Sequence, residues 1–431
     1  MNEAPESNPY RPFVPADGSA PFAGRADAQA RLRQHVREAA GGGALVILGR
    51  AGVGKTALLR RCAAAADDSA VLIYTPLPAR PSEAAVLGAL VRAAAAELAR
   101  RDFTLAHLPP LPADAALREW FAGEWLPEAC LAVRAHRRLL WLLDDAQRLT
   151  AADSGLAADF PAWLLGLLGR FPQARLALAL DDASEPDLPR LAPLAQREGA
   201  LRLGNLDAAA VRDLLRAPVA GLYTVTDEAA AALYRETGGQ PDLAQLAGDH
   251  LFRRWSARPD RDTLTPDDVR ALLPALVAGA DAHFQGLWRA ASPSEKLVLT
   301  ALSGLLYDDP LRPVDARALE AWLVETDYPL EPTAIHAALR ALEYREIVTA
   351  APPLALRSGL LRAWLLDNAR LDGARAPAGA ASRVPGQRRR AAIALVVVAV
   401  VVAALAALAL GGAPPPSTDG APIPTVTLSG P

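Results

Sequence analysis

Lysine is almost missing from this 431-residue chain: only Lys55 and Lys296 stand among its 45 basic residues, and the rest are arginine. Two cysteines, Cys62 and Cys130, are too few for a disulfide framework or a four-ligand zinc site. Six histidines are scattered along the chain, with no His, Cys and carboxylate cluster at metal spacing. Aromatic residues make up only 5% of the chain, whereas hydrophobic residues reach 52% through alanine, a balance that favours helix over sheet. The formal net charge of −3 removes any global case for coating nucleic acid. At the N-terminus no basic flank precedes an apolar run, so no signal peptide is expected there.

One of the two lysines sits inside Gly49-Arg50-Ala51-Gly52-Val53-Gly54-Lys55-Thr56, which fits G-x-x-x-x-G-K-[ST]. The apolar run Ala44–Leu48 precedes it and a helical pattern opens near Lys55. That is the context the chemistry needs: glycines let the backbone wrap a phosphate, and successive N–H groups with a helix N-terminus supply positive potential. Lys55 is expected to bridge the β- and γ-phosphates of a nucleotide, and the Thr56 hydroxyl to coordinate Mg²⁺. Leu139–Leu143 is a second apolar run, ending abruptly in Asp144-Asp145. Asp144 is expected to hold the metal through water and Asp145 to polarise an attacking water. By itself a strand followed by two acids is equally a strand-ending turn; the phosphate loop upstream is what favours a site.

Further strands are expected at Ala70–Tyr74, Leu176–Leu180 and Ala200–Leu203, and helices at 27–40, 83–101 and 113–136. Short apolar strands alternating with helices predict an α/β core around a parallel sheet covered on both faces. The expected organisation is a loose lead-in over 1–20, an α/β core over 21–205 and short helices over 206–275, where strands stop. A second helical module spans 282–372, with helices at 293–304, 314–325 and 332–343 and a β-wing between Ile347 and Leu356. Residues 373–390 read as a linker that carries Arg375, Arg383, Arg388, Arg389 and Arg390 and no acid. Residues 391–410 hold no polar side chain, and as helix they would extend roughly 30 Å, the thickness of a bilayer core. With arginines before this run and none after it, a single pass is expected to leave the bulk of the chain in the cytoplasm and 411–431 as an unstructured tail outside. Ala399, Ala403 and Ala407 form a small-residue series that would permit self-association.

On these motifs the chain resembles the P-loop NTPases of the AAA+/STAND group, and more narrowly bacterial STAND-like and origin-recognition-like ATPases. The resemblance covers about residues 8–372. Asn8-Pro9-Tyr10 and Pro21-Phe22-Ala23-Gly24-Arg25 look like the family's entry segment, which implies that Phe22 and Arg25 lie near the base and sugar. Gly239-Gln240-Pro241 looks like the lid element, which implies that Pro241 touches adenine. The bland alternatives are a hydrophobic anchor, a solvated charge and a helix-breaking turn. Pro293 to Leu365 resembles the winged-helix module that follows such a lid. Together these imply an additional-strand sheet, ATP with Mg²⁺ as cofactors, and hydrolysis coupled to repacking of lid and winged helix around an unknown protein partner.

Two departures weaken parts of that picture. Where relatives carry a polar or basic sensor, this chain has Asp181-Asp182-Ala183-Ser184; either Ser184 or Arg190 senses the γ-phosphate, or sensing is impaired. No arginine finger can be assigned. From 282 to 372 twelve acids face nine bases, which equips the winged helix poorly for duplex DNA. A non-hydrolysing nucleotide scaffold and a DNA-handling ATPase therefore stand as the alternatives. Ser294 and Glu295 read as helix-capping chemistry rather than a site.

Overall fold

The computed structural model describes residues 7–14, 21–37, 44–65, 70–103, 108–110, 112, 117–133, 138–150, 155–171, 173–182, 200–258, 262–349 and 352–369. Ser184, Arg190, the remaining residues of the expected lead-in, and the linker, span and tail over 373–431 lie outside the described residues.

Five strands build one parallel sheet in the order β2-β3-β4-β1-β5. They are β1 (Ala44–Leu48), β2 (Ala70–Pro76), β3 (Arg138–Asp144), β4 (Ala174–Leu180) and β5 (Ala200–Arg202). Alternation along β1 divides the core between two faces. Ala44, Val46 and Leu48 join the cluster that includes Trp125 and Trp141, whereas Leu45 and Ile47 pack with Leu32, Leu58 and Leu59. The first face is covered by α3 (Glu83–Arg100), whose first turn is capped by Ser82, and by a helical stretch over Leu117–Ala132. That stretch, predicted as one helix, contains a π-turn at Phe121–Trp125 that places Phe121 and Trp125 in a stacked pair at 5.5 Å. On the second face lie α1 (Ala26–Arg37) and α2 (Lys55–Ala64).

Beyond β5 the chain is mainly helical. A two-residue parallel pairing of Thr224–Val225 with Thr263–Leu264 corrects the expectation that strands stop at 206. Pairs this short have no hydrophobic period to announce them. The helices here are Ala208–Arg216, Asp227–Thr237, Pro241–Ser256, Pro266–Gly279 and Asp281–Ala290. Over 293–368 the order is helix Pro293–Leu305, helix Ala316–Glu325, helix Pro332–Tyr344, one antiparallel bridge between Val348 and Leu356, and helix Gly359–Asn368. The expected wing is thus a single bridge. Capping does occur at the start of the first of these helices, but Ser292 rather than Ser294 is the cap, with Glu295 returning to the Ser292 N–H at 2.7 Å.

Residues 7–14, expected as part of a loose lead-in, are instead seated on this helical region. The Tyr10 ring is buried and its hydroxyl donates to the Leu215 carbonyl at 2.6 Å, while the Asn8 amide donates to Asp249 at 2.7 Å. One buried aromatic with a satisfied hydroxyl is enough to fix a short polar segment. Among the described residues no helix is long and apolar enough to cross a membrane; residues 391–410 lie outside that set.

Candidate functional site

The carboxyl ends of β1, β3 and β4 converge on a cleft of about 320 Å³, open to solvent and closed on its far side by the start of helix Pro241–Ser256. The loop between β1 and α2 forms its floor. Gly52 and Gly54 take φ values of 76° and 96°, a left-handed backbone that glycine adopts without steric cost. Ala51, Gly52, Val53, Gly54, Lys55 and Thr56 all line the cleft, as do Phe22, Arg25, Asp144, Asp145 and Pro241. Eleven of the thirteen residues expected from sequence are therefore brought together. Gly49 and Arg50, expected among the nucleotide-binding residues, are not part of the lining: the Arg50 side chain turns behind the loop, where its guanidinium donates to Asn205 at 2.8 Å and Gln240 at 3.1 Å.

Lys55 folds back over its own loop, donating to the carbonyls of Gly49 at 2.5 Å and Arg50 at 3.0 Å, with Asp181 at 3.9 Å. Burial pulls its ammonium below the ordinary lysine range, and the surrounding carboxylates, Asp181 foremost, pull it back. The two acids after β4 therefore do different things. Asp181 faces the loop lysine, and buried Asp182 is paired with Arg202 at 3.2 Å. The repulsion expected of two bare carboxylates beside a triphosphate is answered by these two cations.

Thr56 and Asp144 meet across the cleft, the Thr56 hydroxyl donating to Asp144 Oδ2 at 2.7 Å. These are two hard oxygen donors on rigid elements, and a Mg²⁺ carried in by phosphates needs one or two such groups. No cluster of three or more His, Cys, Asp or Glu that could hold a metal unaided is found among the described residues. The donor set thus fits a nucleotide-borne Mg²⁺ rather than a resident ion. Tyr74, at the end of β2, donates its hydroxyl to the same Asp144 oxygen at 2.9 Å, and Arg60 covers its ring at 4.7 Å. Sequence reading missed this residue because its partner is 70 positions away.

Asp145 begins the turn after β3 in a left-handed conformation, φ 56°. Its carboxylate is paired with Arg148 at 2.7 Å and accepts from Gln147 at 3.3 Å, and its side chain is 45% exposed. Asp144 is taken up by the Thr56 and Tyr74 hydroxyls, whereas Asp145 remains reachable by water.

Phe22 is half-buried against the sheet, and Arg25 donates to the carbonyls of Val53 at 2.8 Å and Gly204 at 2.6 Å. Arg25 therefore braces the loop against the end of β5 as well as lining the cleft. Pro241 reaches over Gly54, to which an added Cβ would stand 4.0 Å away.

A second residue missed from sequence is Asp242, whose carboxyl would meet a Cβ on Gly52 at 2.6 Å. Burial pushes its pKa up to about 6. The other charged groups lining the cleft are Arg11, Arg25, Lys55, Asp144, Asp145 and Asp181. An ionised carboxyl here opposes a phosphate; the neutral acid does not. Affinity for ADP is accordingly expected to rise as pH falls through about 6, more steeply than in Asp242→Asn. At pH 7.5 the asparagine chain should bind about tenfold tighter. Calorimetric titrations of both chains from pH 5.5 to 8 cancel the nucleotide's own titration, and parallel curves would remove the role given to Asp242. The stability sign follows from the same shift. The folded value lies above the ordinary 3.8, so the contribution of Asp242 is fully present below that pH and is lost as pH rises through about 6.

The family model for the AAA ATPase domain matches residues 21–203. A Walker-type ATPase of Pyrococcus abyssi is similar in structure, with a TM-score of 0.57 at 15% identity, over 80% of this chain and 96% of that one. At such identity the likeness shows the fold. Cdc6p from Pyrobaculum aerophilum aligns more loosely, at a TM-score of 0.41 and 16% identity, over 84% of this chain and 94% of that one. A curated acetylglutamate kinase of Mycobacterium leprae (strain TN) is 30% identical over 154 residues, 35% of this chain. The chain spans only 44% of that kinase's length. The loop, the paired acids and the parallel sheet all lie within residues 21–203, the segment that is similar to the AAA ATPase domain.

Proposed function

We propose that this chain binds ATP with Mg²⁺ in the cleft above β1 and hydrolyses it, acting as a nucleotide-dependent switch of AAA+/STAND type tethered to a membrane. The observation that carries the first part is the meeting of Lys55, Thr56 and Asp144 at the carboxyl ends of β1 and β3, which flank β4. In that reading Lys55 contacts the β- and γ-phosphates, Thr56 and Asp144 hold the metal, and Mg²⁺ supplies neutralisation of charge on the phosphates. Phe22 and Pro241 flank the base, and Asp145 orients water. A ligand shifts a conformational equilibrium only through differential affinity, so ATP and ADP must favour different seatings of the helices that begin at Pro241.

The tether rests on the twenty apolar residues 391–410 and the arginines before them. Arg388, Arg389 and Arg390 would then face anionic headgroups on the cytoplasmic side. Nucleic acid is a poor fit for the acid-rich 282–372 segment, and a protein partner suits it better.

Steady-state ATP hydrolysis by the full-length chain, with Lys55→Ala as the blank, tests the enzyme reading. Turnover above the blank is expected, and retention of one nucleotide without turnover would favour the non-hydrolysing scaffold. Flotation with anionic vesicles tests the tether: removal of 391–410 is expected to abolish it, and equal flotation of both chains would sink that part.

A further inference from the structure

Arg50 stands in the phosphate loop, yet its side chain serves the back of it. One guanidinium nitrogen donates to both Asn205 Oδ1, at 2.8 Å, and Gln240 Oε1, at 3.1 Å. Its carbonyl meanwhile accepts from the Lys55 ammonium at 3.0 Å. The placement of Lys55 is therefore tied to what holds Arg50.

Asn205 belongs to a short strap that leaves β5. Leu203 N–H donates to Leu48 at 2.7 Å, Gly204 accepts from Arg25 at 2.6 Å, and Leu206 N–H donates to Gly239 at 2.7 Å. Into this strap reaches Glu346, from the turn after helix Pro332–Tyr344. Its carboxylate accepts the Asn205 backbone N–H, and its carbonyl accepts from the Asn205 side-chain amide at 3.4 Å. Glu346 has φ 53°, a left-handed backbone that is uncommon for a residue with a side chain and is held by its surroundings.

Those surroundings are specific. Arg345 donates to buried Glu295 of helix Pro293–Leu305, and the Arg202 guanidinium lies 3.4 Å from the Tyr344 ring centroid. Gly204 leaves the room the carboxylate occupies, since a Cβ there would stand 2.5 Å from Glu346 Oε1. Arg50 is deeply buried, which lowers its pKa to about 10, and Glu346 is the first of the groups that restore it.

We infer that Glu346 is a positioning residue for the nucleotide site: through Asn205 and Arg50 it sets the phosphate loop, so nucleotide binding and seating of the helices over 293–368 depend on each other. This rests on the nucleotide reading above and adds the route by which the C-terminal helices reach the site. Gln240 supplies a second arm of the same hub. Its amide meets His283 Nε2 at 2.6 Å, and burial with the nearby Arg50 keeps that imidazole neutral, its pKa lowered to about 4. Coupling of this kind is reciprocal: what the helices do for nucleotide affinity, nucleotide must do for the helices.

The test uses the full-length chain and ADP with Mg²⁺, so that turnover plays no part. Calorimetry is expected to give about tenfold weaker ADP binding for Glu346→Ala, with Glu346→Gln in between because it keeps an acceptor for the Asn205 N–H. Glu325→Ala, at an exposed position on the neighbouring helix, should bind as the wild type does. Hydrogen exchange gives the converse readout: ADP is expected to slow exchange over 332–344 in the wild type, and to lose that effect in Glu346→Ala at saturating ADP. Should the alanine chain fail to fold, the glutamine chain carries both comparisons. Equal affinity in all the chains, or exchange over 332–344 indifferent to ADP in the wild type, overturns the coupling and leaves the nucleotide reading standing. A wild-type chain that does not bind ADP at all removes both.

Discussion

Replacing Lys55 with alanine is expected to lower affinity for Mg²⁺-ATP by about a hundredfold or more, to the point where calorimetry records no binding. The lysine side chain is only 12% exposed and is held by two carbonyls of its own loop. It is therefore placed before a phosphate arrives, and little side-chain entropy remains to be lost on binding. At an effective dielectric of about 20, a charge pair near 4 Å amounts to about 4 kcal/mol, of which desolvation removes part. The variant does more than delete an attraction. Asp181 would also lose the cation that stands 3.9 Å from it, so its charge would weigh more heavily against a triphosphate in the same cleft. Affinity within threefold of wild type would mean that phosphates are not bound at this loop.

The second large effect is expected for Asp145→Asn: binding of ATP within about threefold of wild type, and turnover reduced by about a hundredfold to a thousandfold. The two acids at the end of β3 differ in what they touch. Asp144 accepts from Thr56 and Tyr74, so its loss would disturb the metal side and binding together. Asp145 points elsewhere, held by Arg148 and Gln147 and partly exposed. A carboxylate so placed can accept a proton from water without being needed to hold the nucleotide. The asparagine side chain keeps the shape and one acceptor but not the charge. Single-turnover hydrolysis beside equilibrium binding separates the two quantities, and equal turnover in the two chains would remove Asp145 from the chemistry.

The strands of the core and the floor of the cleft were legible in the sequence for a local reason. Runs such as Ala44–Leu48 and Leu139–Leu143 are buried on both faces, so they read as unbroken apolar segments. Strand ends were less legible: β2 continues to Pro76 because β3 offers partners as far as Asp144, beyond the apolar run. The π-turn at Phe121–Trp125 leaves no mark on a helical pattern. Tyr74, Asp242 and Glu346 were not legible, since each acquires its meaning from a residue 70 to 190 positions away. For Asp242 a signal did exist, an acid at the second position of a helix immediately after Gln240-Pro241. Arg50 shows the reverse: a loop motif locates a backbone, whereas the direction of the side chain, here toward Asn205 and Gln240 behind the loop, is not written in it.

The strand order also governs when the site can exist during synthesis. β1, which carries the phosphate loop, pairs with no strand close to it in sequence; its neighbours are Leu176–Leu180 on one side and Ala200–Arg202 on the other. At about 5–20 residues per second, a ribosome needs on the order of ten seconds to travel from the first of these strands to the last. Until Leu176–Leu180 has been made, Ala44–Leu48 has neither hydrogen-bonding neighbour, and Lys55 has no framework to hold it. The nascent chain thus passes through a stage in which an apolar strand with two open edges awaits its partners, a sticky species that chaperones recognise. Nucleotide cannot assist this step, because the pocket it would stabilise is lined in part by Pro241, Asp242 and Gln245, which are made only after the last strand.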